Sequence, residues 1–173
     1  MCRAPFADPC LELLPGVKQV RGITKRHDVE GQDVEHALRI AQSALGQIDG
    51  AMHASVSVPS TNGLVVRAST DLSIESPGEL CTGPSVAVLD SGRIVRVPTV
   101  ERSDEFPEYV AKCRRLGINS VAAFPVKDAA LRTVAVLTIS SADHHGFGTA
   151  DLRAGRRVAE QLASVGLFHP VAG

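Results

Sequence analysis

From Asp33 onward, apolar residues recur at spacings of three and four: Val34, Ala37, Leu38, Ala41, Leu45 and Ile48. This pattern predicts an amphipathic helix with Asp33 at its start and Gly50 at its end. The period then changes to two. Met52, Ala54, Val56 and Val58 alternate with His53, Ser55 and Ser57, and a second strand over 64–70 follows the turn Ser60-Thr61-Asn62-Gly63, so a β-hairpin is expected. Pro84 suits the first position of a short helix carrying Val86 to Leu89 and stopping at Gly92. A brief strand over 94–97 comes next, then an amphipathic helix over 104–116. Phe106, Val110, Cys113 and Leu116 line one side of that helix, Arg114 and Arg115 lie near its end, and Gly117 follows as a cap. Strands over 120–126 and 133–140 form a second hairpin. A final helix is capped by Thr149, with Asp151 in its first turn and Leu152, Val158, Leu162 and Val165 on its apolar stripe. The predicted order is α-β-β-α-β-α-β-β-α around an antiparallel sheet, with Pro125 at an edge or bulge because proline has no ladder N–H to donate.

The 173 residues fit one domain with an extension. Residues 1–31, punctuated by Pro5, Pro9, Pro15, Gly16, Gly22 and Gly31, read as an N-terminal extension. Residues 32–169 read as the domain and 170–173 as a tail. With 44% hydrophobic residues, a chain this long has enough apolar material for a core without metals or disulfides. Cys2, Cys10, Cys81 and Cys113 form no CxxC pair and no dense framework, so reduced thiols are expected. A formal net charge of -1 offers no general field for polyanions, and 3% aromatic residues supply few rings for stacking bases, so direct nucleic-acid binding is not expected. No apolar run approaches a membrane span and Met1 to Pro5 does not open a signal peptide, so the cytoplasm is the expected location.

Three pieces in order then carry a resemblance. Arg115 to Val126 includes a helix ending in Leu116-Gly117 and a strand running into Pro125-Val126. An apolar strand over Thr133 to Ser141 follows, and Phe147-Gly148-Thr149-Ala150-Asp151 opens the last helix. Together they resemble the C-terminal half of a GAF domain. Gly83-Pro84-Ser85, followed by Ile94 to Val97, is similar to the version found beside ANTAR output domains in bacterial regulators, with Ser85 where that subgroup often has Cys. No ANTAR-like three-helix tail is recognisable, so any RNA output is expected to reside in another protein. The resemblance covers about residues 33–168. It implies an α+β, PAS-like fold with a central antiparallel sheet of five to six strands, helices on one face and a pocket on the other. The pocket would be walled by the apolar side of the strands and roofed by 71–90 and 100–116.

The same resemblance implies binding rather than turnover: a sensor or regulatory module, not an enzyme, taking an unidentified small molecule or a signalling protein. Arg67, Ser85, Tyr109, Ser120 and Phe124 are the candidate ligand contacts, no metal site is expected, and the cofactor is left open. A homodimer is expected through the first and last helices, using Val34, Leu38, Ala41 and Leu45 with Val158, Leu162 and Val165. Small side chains at Ala54, Ser120, Ala122, Ala123 and Ala135 fit two accounts equally: room for a ligand, or a collapsed pocket in a pure interaction module. A ligand-sized cavity near Phe124 would separate them.

Other chemistries are weaker. The cyclic-nucleotide motif of GAF domains is not recognisable, and bilin attachment lacks suitable companions for its cysteine. Haem would use His144 or His145 as axial ligand. A free methionine sulfoxide reductase would use cysteine chemistry, and Cys81 lies close to one of that group's cysteine positions. Strand 120–126, however, holds no cysteine, and the chain has no tryptophan to cage that substrate. His53 reads as a satisfied or solvated histidine, and Asp104, Glu105, Glu108 and the Asp143-His144 pair as solvated charges.

Overall fold

The computed structural model describes residues 24–61, 63–74, 79–80, 82–144 and 146–164, with the backbone alone for 24–30 and 79–80. The expectations for Cys2, Cys10, Cys81, His145 and Val165, and for residues 1–23 and 170–173, concern positions outside these.

The elements are α1 (Thr24–Gln47), β1 (Ala51–Ser60), β2 (Gly63–Ser69), β3 (Glu79–Leu80), α2 (Pro84–Ser91), β4 (Val95–Val97), a 3₁₀ turn at Val100–Arg102, α3 (Pro107–Arg115), β5 (Ser120–Lys127), β6 (Thr133–Ser141) and α4 (Thr149–Ser164). All six strands pair antiparallel in the order β3-β2-β1-β6-β5-β4. The fold is α+β, as the resemblance implied.

Three boundaries differ from the pattern. α1 begins at Thr24, so Asp33 lies inside it rather than capping it. Gly31 costs the helix only about 1 kcal/mol, too little to stop it. α3 begins at Pro107, not 104, because the residue before a proline is disfavoured in the helical region; Phe106 sits at φ -133, ψ 66. The α4 cap is Gly148 rather than Thr149: Asp151 Oδ2 accepts the Gly148 N–H at 2.9 Å, the reach-back half of a capping box. The end of α3 is as expected. Ile118 N–H donates to Cys113 O and Gly117 N–H to Arg114 O, with Gly117 at φ 68, a Schellman closure.

Cross-strand register divides the sheet into two faces. Ala54, Val56, Ala122, Phe124, Val126, Ala135, Leu137 and Ile139 share the face covered by α1 and α4. α1 presents Ala37, Ala41 and Ala44, with Ile48 just after its end, and α4 presents Ala154, Val158, Ala159 and Leu162. Burying each large member, such as Phe124 or Leu162, contributes about 1.5–3 kcal/mol. Ala41, Val158 and Leu162 are therefore occupied inside the chain.

The opposite face is polar yet also buried. His53, Ser55, Ser57, Thr138 and Ser140 lie on it with Val121, Ala123 and Val136. α2 covers it through Val88, and the region around α3 covers it through Val100, Val110 and Cys113 packed on Val121.

Both strand prolines sit where a neighbouring ladder has ended. Pro125 pairs with Val136 on β6, while β4 reaches only to Ala123. Pro59 pairs with Leu64 on β2, while β6 reaches only to Ser57. Neither needs an N–H on its open side.

Candidate functional site

Of the segments expected to roof the pocket, 71–90 and 100–116, α2 and the region around α3 cover the polar side of the sheet. The apolar side, expected to wall a pocket, is taken by α1 and α4. The reason is complementarity: alanine-rich helix faces pack closely on small and branched strand residues, leaving the Ser/Thr/His side for the shorter helices.

Of the five candidate contacts, Ser85 and Tyr109 come together under this roof. Ser85, at the second position of α2, shares a 2.8 Å hydrogen bond with Thr138 Oγ1 on the sheet floor. Gly83 at the α2 N-cap has φ 112, and a Cβ there would lie 3.0 Å from Tyr109 Cδ2. A glycine is therefore needed for both the backbone angle and the close approach. Arg67 is exposed, at the extra position where β2 bulges between the Val56–Ala68 and Ser57–Val66 pairs.

Ser120 and Phe124 lie apart from these two. Both face α1 and α4, on the opposite side of the sheet from Ser85. Ser120 Oγ donates to Asp143 O at 2.7 Å, pinning the loop after β6, and Phe124 is packed under α4. Neither contacts the space below α2 and α3. His144, the described member of the histidine pair, is exposed in that same loop.

The pattern alone undervalued His53, which is 1% exposed. Its Nε2 lies 3.0 Å from Ser69 Oγ, and Ser69 Oγ gives its own proton to Asp71 O at 2.8 Å. His53 Nε2 must then be the donor, which fixes the tautomer and leaves Nδ1 as a bare acceptor. That Nδ1 is buried with no hydrogen-bond partner among the described residues, as is Ser57 Oγ four residues along, on the same strand face. Burial lowers the His53 pKa from 6.5 to about 4, against the pull of Asp71 and with help from Lys112, so the ring is neutral at pH 7. A hollow beside it is lined by His53, Tyr109, Lys112, Cys113 and Ser140 and has a volume of about 10 Å³, room for one water at most. The site can offer a neutral acceptor and hydroxyls to a polar ligand, with the Lys112 ammonium nearby. The Cys113 thiol is 1% exposed.

A larger hollow of about 550 Å³ does lie near Phe124, but on the α4 side, between α4 and the β5–β6 hairpin.

No curated protein matches the sequence. Solved structures share its fold. The GAF domain region of a protein from Geobacter sulfurreducens PCA is 17% identical, with a TM-score of 0.67 over 81% of this chain and 96% of that one. A type II free methionine-R-sulfoxide reductase from Thermoplasma acidophilum is 16% identical, with a TM-score of 0.63 over 80% and 94%. A domain assigned to a two-component sensor histidine kinase protein from Sinorhizobium meliloti 1021 is 18% identical, with a TM-score of 0.58 over 78% and 88%. At these identities the likeness is one of fold. The GAF domain model matches the sequence itself over residues 33–165, the stretch that builds the two-faced sheet and both its coverings, and by that match the chain belongs to the GAF domain family.

Proposed function

We propose that the protein is a non-catalytic sensor or regulatory module of signal transduction whose small-molecule ligand seats on the polar sheet face beneath α2 and α3. The observation that carries this reading is that two of the three buried, unpartnered side-chain groups on β1, His53 Nδ1 and Ser57 Oγ, share the polar face, the third being Ser60 Oγ at the strand's end. Each unsatisfied group costs the fold about 1–3 kcal/mol, and apolar side chains at both positions would avoid that cost. A ligand presenting N–H or O–H donors offsets it. The small hollow corresponds to a closed state, and entry of a ligand requires α3 to move away from the floor, a displacement able to reach a partner.

The non-catalytic part of the reading draws support from Cys113, the cysteine beside the hollow, which lies on α3 and is almost fully shielded from solvent. Thiol-based oxygen transfer needs an accessible thiolate. A homodimer through α1 and α4 would have to use solvent-facing residues such as Val34, since Ala41, Val158 and Leu162 are buried in the chain's own core. The second reading, an interaction module without a ligand, is favoured by the hollow's volume of about 10 Å³.

Thermal denaturation with and without the low-molecular-mass fraction of a cell lysate tests the proposal. A rise in Tm for the wild type that His53→Phe abolishes supports it; equal curves for both proteins support the interaction module.

A further inference from the structure

The larger hollow lies on the other side of the sheet from His53 and owes nothing to the seat proposed above. Its floor is apolar, made by Ile94, Phe124, Pro125, Ala159 and Ala163. Its volume of about 550 Å³ falls within the roughly 300–1,000 Å³ of small-molecule sites.

Charge on its rim is unbalanced. Arg93, Lys127 and Arg156 line it, and none of them holds an ion pair among the described residues. Of the two carboxylates there, Asp128 is bound to the Arg132 guanidinium at 2.7 Å and accepts the Ala130 and Arg132 N–H groups, so it is spent. Glu160 is the remaining acidic neighbour. Three cations against one carboxylate favour an anionic head group.

Leu131 gives the second, independent indication. It is 77% exposed, lines the same hollow, and holds φ 62, the one non-glycine residue in the left-handed region among those described. A γ-branched apolar side chain kept in that conformation and in water is costly on both counts. The Asp128 hydrogen bonds, together with Leu131 N–H donating to Asp128 O at 2.9 Å, lock the hairpin tip so that Leu131 stands beside the groove. An apolar chain lying in the groove would bury it.

We propose that this groove is a second binding site, for an amphipathic anion: an unbranched apolar chain ending in a carboxylate or similar negative head. The chain lies on Phe124, Pro125 and Ala159 against Leu131, and the head is held by Arg93, Lys127 and Arg156.

The probe is sodium decanoate, titrated into the full chain below its micellar range and followed by ¹H–¹⁵N correlation spectra. Decanol and decyltrimethylammonium serve as neutral and cationic comparisons. The proposal expects saturable shifts confined to residues 92–94, 124–131 and 156–163, with decanoate binding at least about tenfold more tightly than either comparison. Arg93→Glu with Lys127→Glu should weaken decanoate by a similar factor, and Leu131→Asn should weaken it without lowering Tm. The proposal is overturned if all three amphiphiles bind alike, if shifts map to His53 and its surroundings, or if no saturation occurs. It is also overturned if the groove signals move with protein concentration alone, which would make the occupant a second copy of the chain. Apart from shifts at His53 itself, these results leave the His53 seat untouched, and its failure is read separately from Tm.

Discussion

Gly155 of α4 lies directly on the ring of Phe124: a Cβ added to that glycine would stand 2.7 Å from both Cε1 and Cε2. The helix approaches the sheet this closely only because position 155 has no side chain. Gly155→Ala should therefore destabilise the fold by about 1–3 kcal/mol from overpacking, less the roughly 1 kcal/mol that alanine returns through helix propensity. Urea unfolding measures the loss, and Phe124→Leu in the same chain should recover part of it as a positive coupling in a double-mutant cycle.

His53 makes stability depend on pH. Its folded-state pKa of about 4 lies below the unfolded value of 6.5, so the unfolded chain binds the extra proton first. Its contribution is intact above pH 6.5, falls as pH drops from 6.5 to 4, and changes no further below 4. The full window is worth about 3 kcal/mol. Unfolding free energies between pH 7 and 4 should show this slope in the wild type and lose it in His53→Gln, which retains an N–H for Ser69.

Ser57 and Ser120 are both fully buried serines, and they should respond in opposite directions. Ser57→Ala removes a hydroxyl that has no partner and should stabilise by about 1 kcal/mol while weakening the ligand. Ser120→Ala removes the donor to Asp143 O and should destabilise by about 1–2 kcal/mol with ligand affinity unchanged. Paired denaturation and ligand titration of the two variants check both signs.

Leu131→Gly should raise stability by about 1 kcal/mol, because glycine adopts φ 62 without the Cβ clash. Asp128→Ala should free the hairpin tip, seen as amide exchange at Ala130 and Arg132 accelerated several-fold while the β5–β6 ladder stays protected.

Much of this architecture is written in local signals. The alternation through Val58, the proline opening α2, and Gly117 after α3 each specify an element without help from distant residues. The faces of β5 are a different matter. Ser120, Val121, Ala122, Ala123 and Phe124 are all buried, so no polar alternation tells one side from the other. Only pairing with β6, Phe124 against Leu137 and Ala123 against Thr138, assigns them. The local pattern alone therefore does not say that Ser120 and Phe124 face α1 and α4, whereas Ser85 at the start of α2 and Tyr109 on α3 are placed by their helices. His53 was obscured in the same way: on β1 it looks like the outward member of an amphipathic strand, and its burial depends on Ile74 and α3 closing over that face. A clue was present in Ser55 and Ser57, since a run of small hydroxyls beside a histidine is unusual for a face meant only for water.

The claim on which the account rests is that a small molecule sits against His53 and Ser57. Native mass spectrometry of the chain purified without denaturation, and again after incubation with the low-molecular-mass fraction of a cell lysate, tests it most directly against the denatured mass. The account predicts an added mass of one defined small molecule on the wild type, missing from His53→Phe measured in parallel. A wild type that carries no added mass under either condition, or one whose added mass survives His53→Phe and Ser57→Val together, contradicts it.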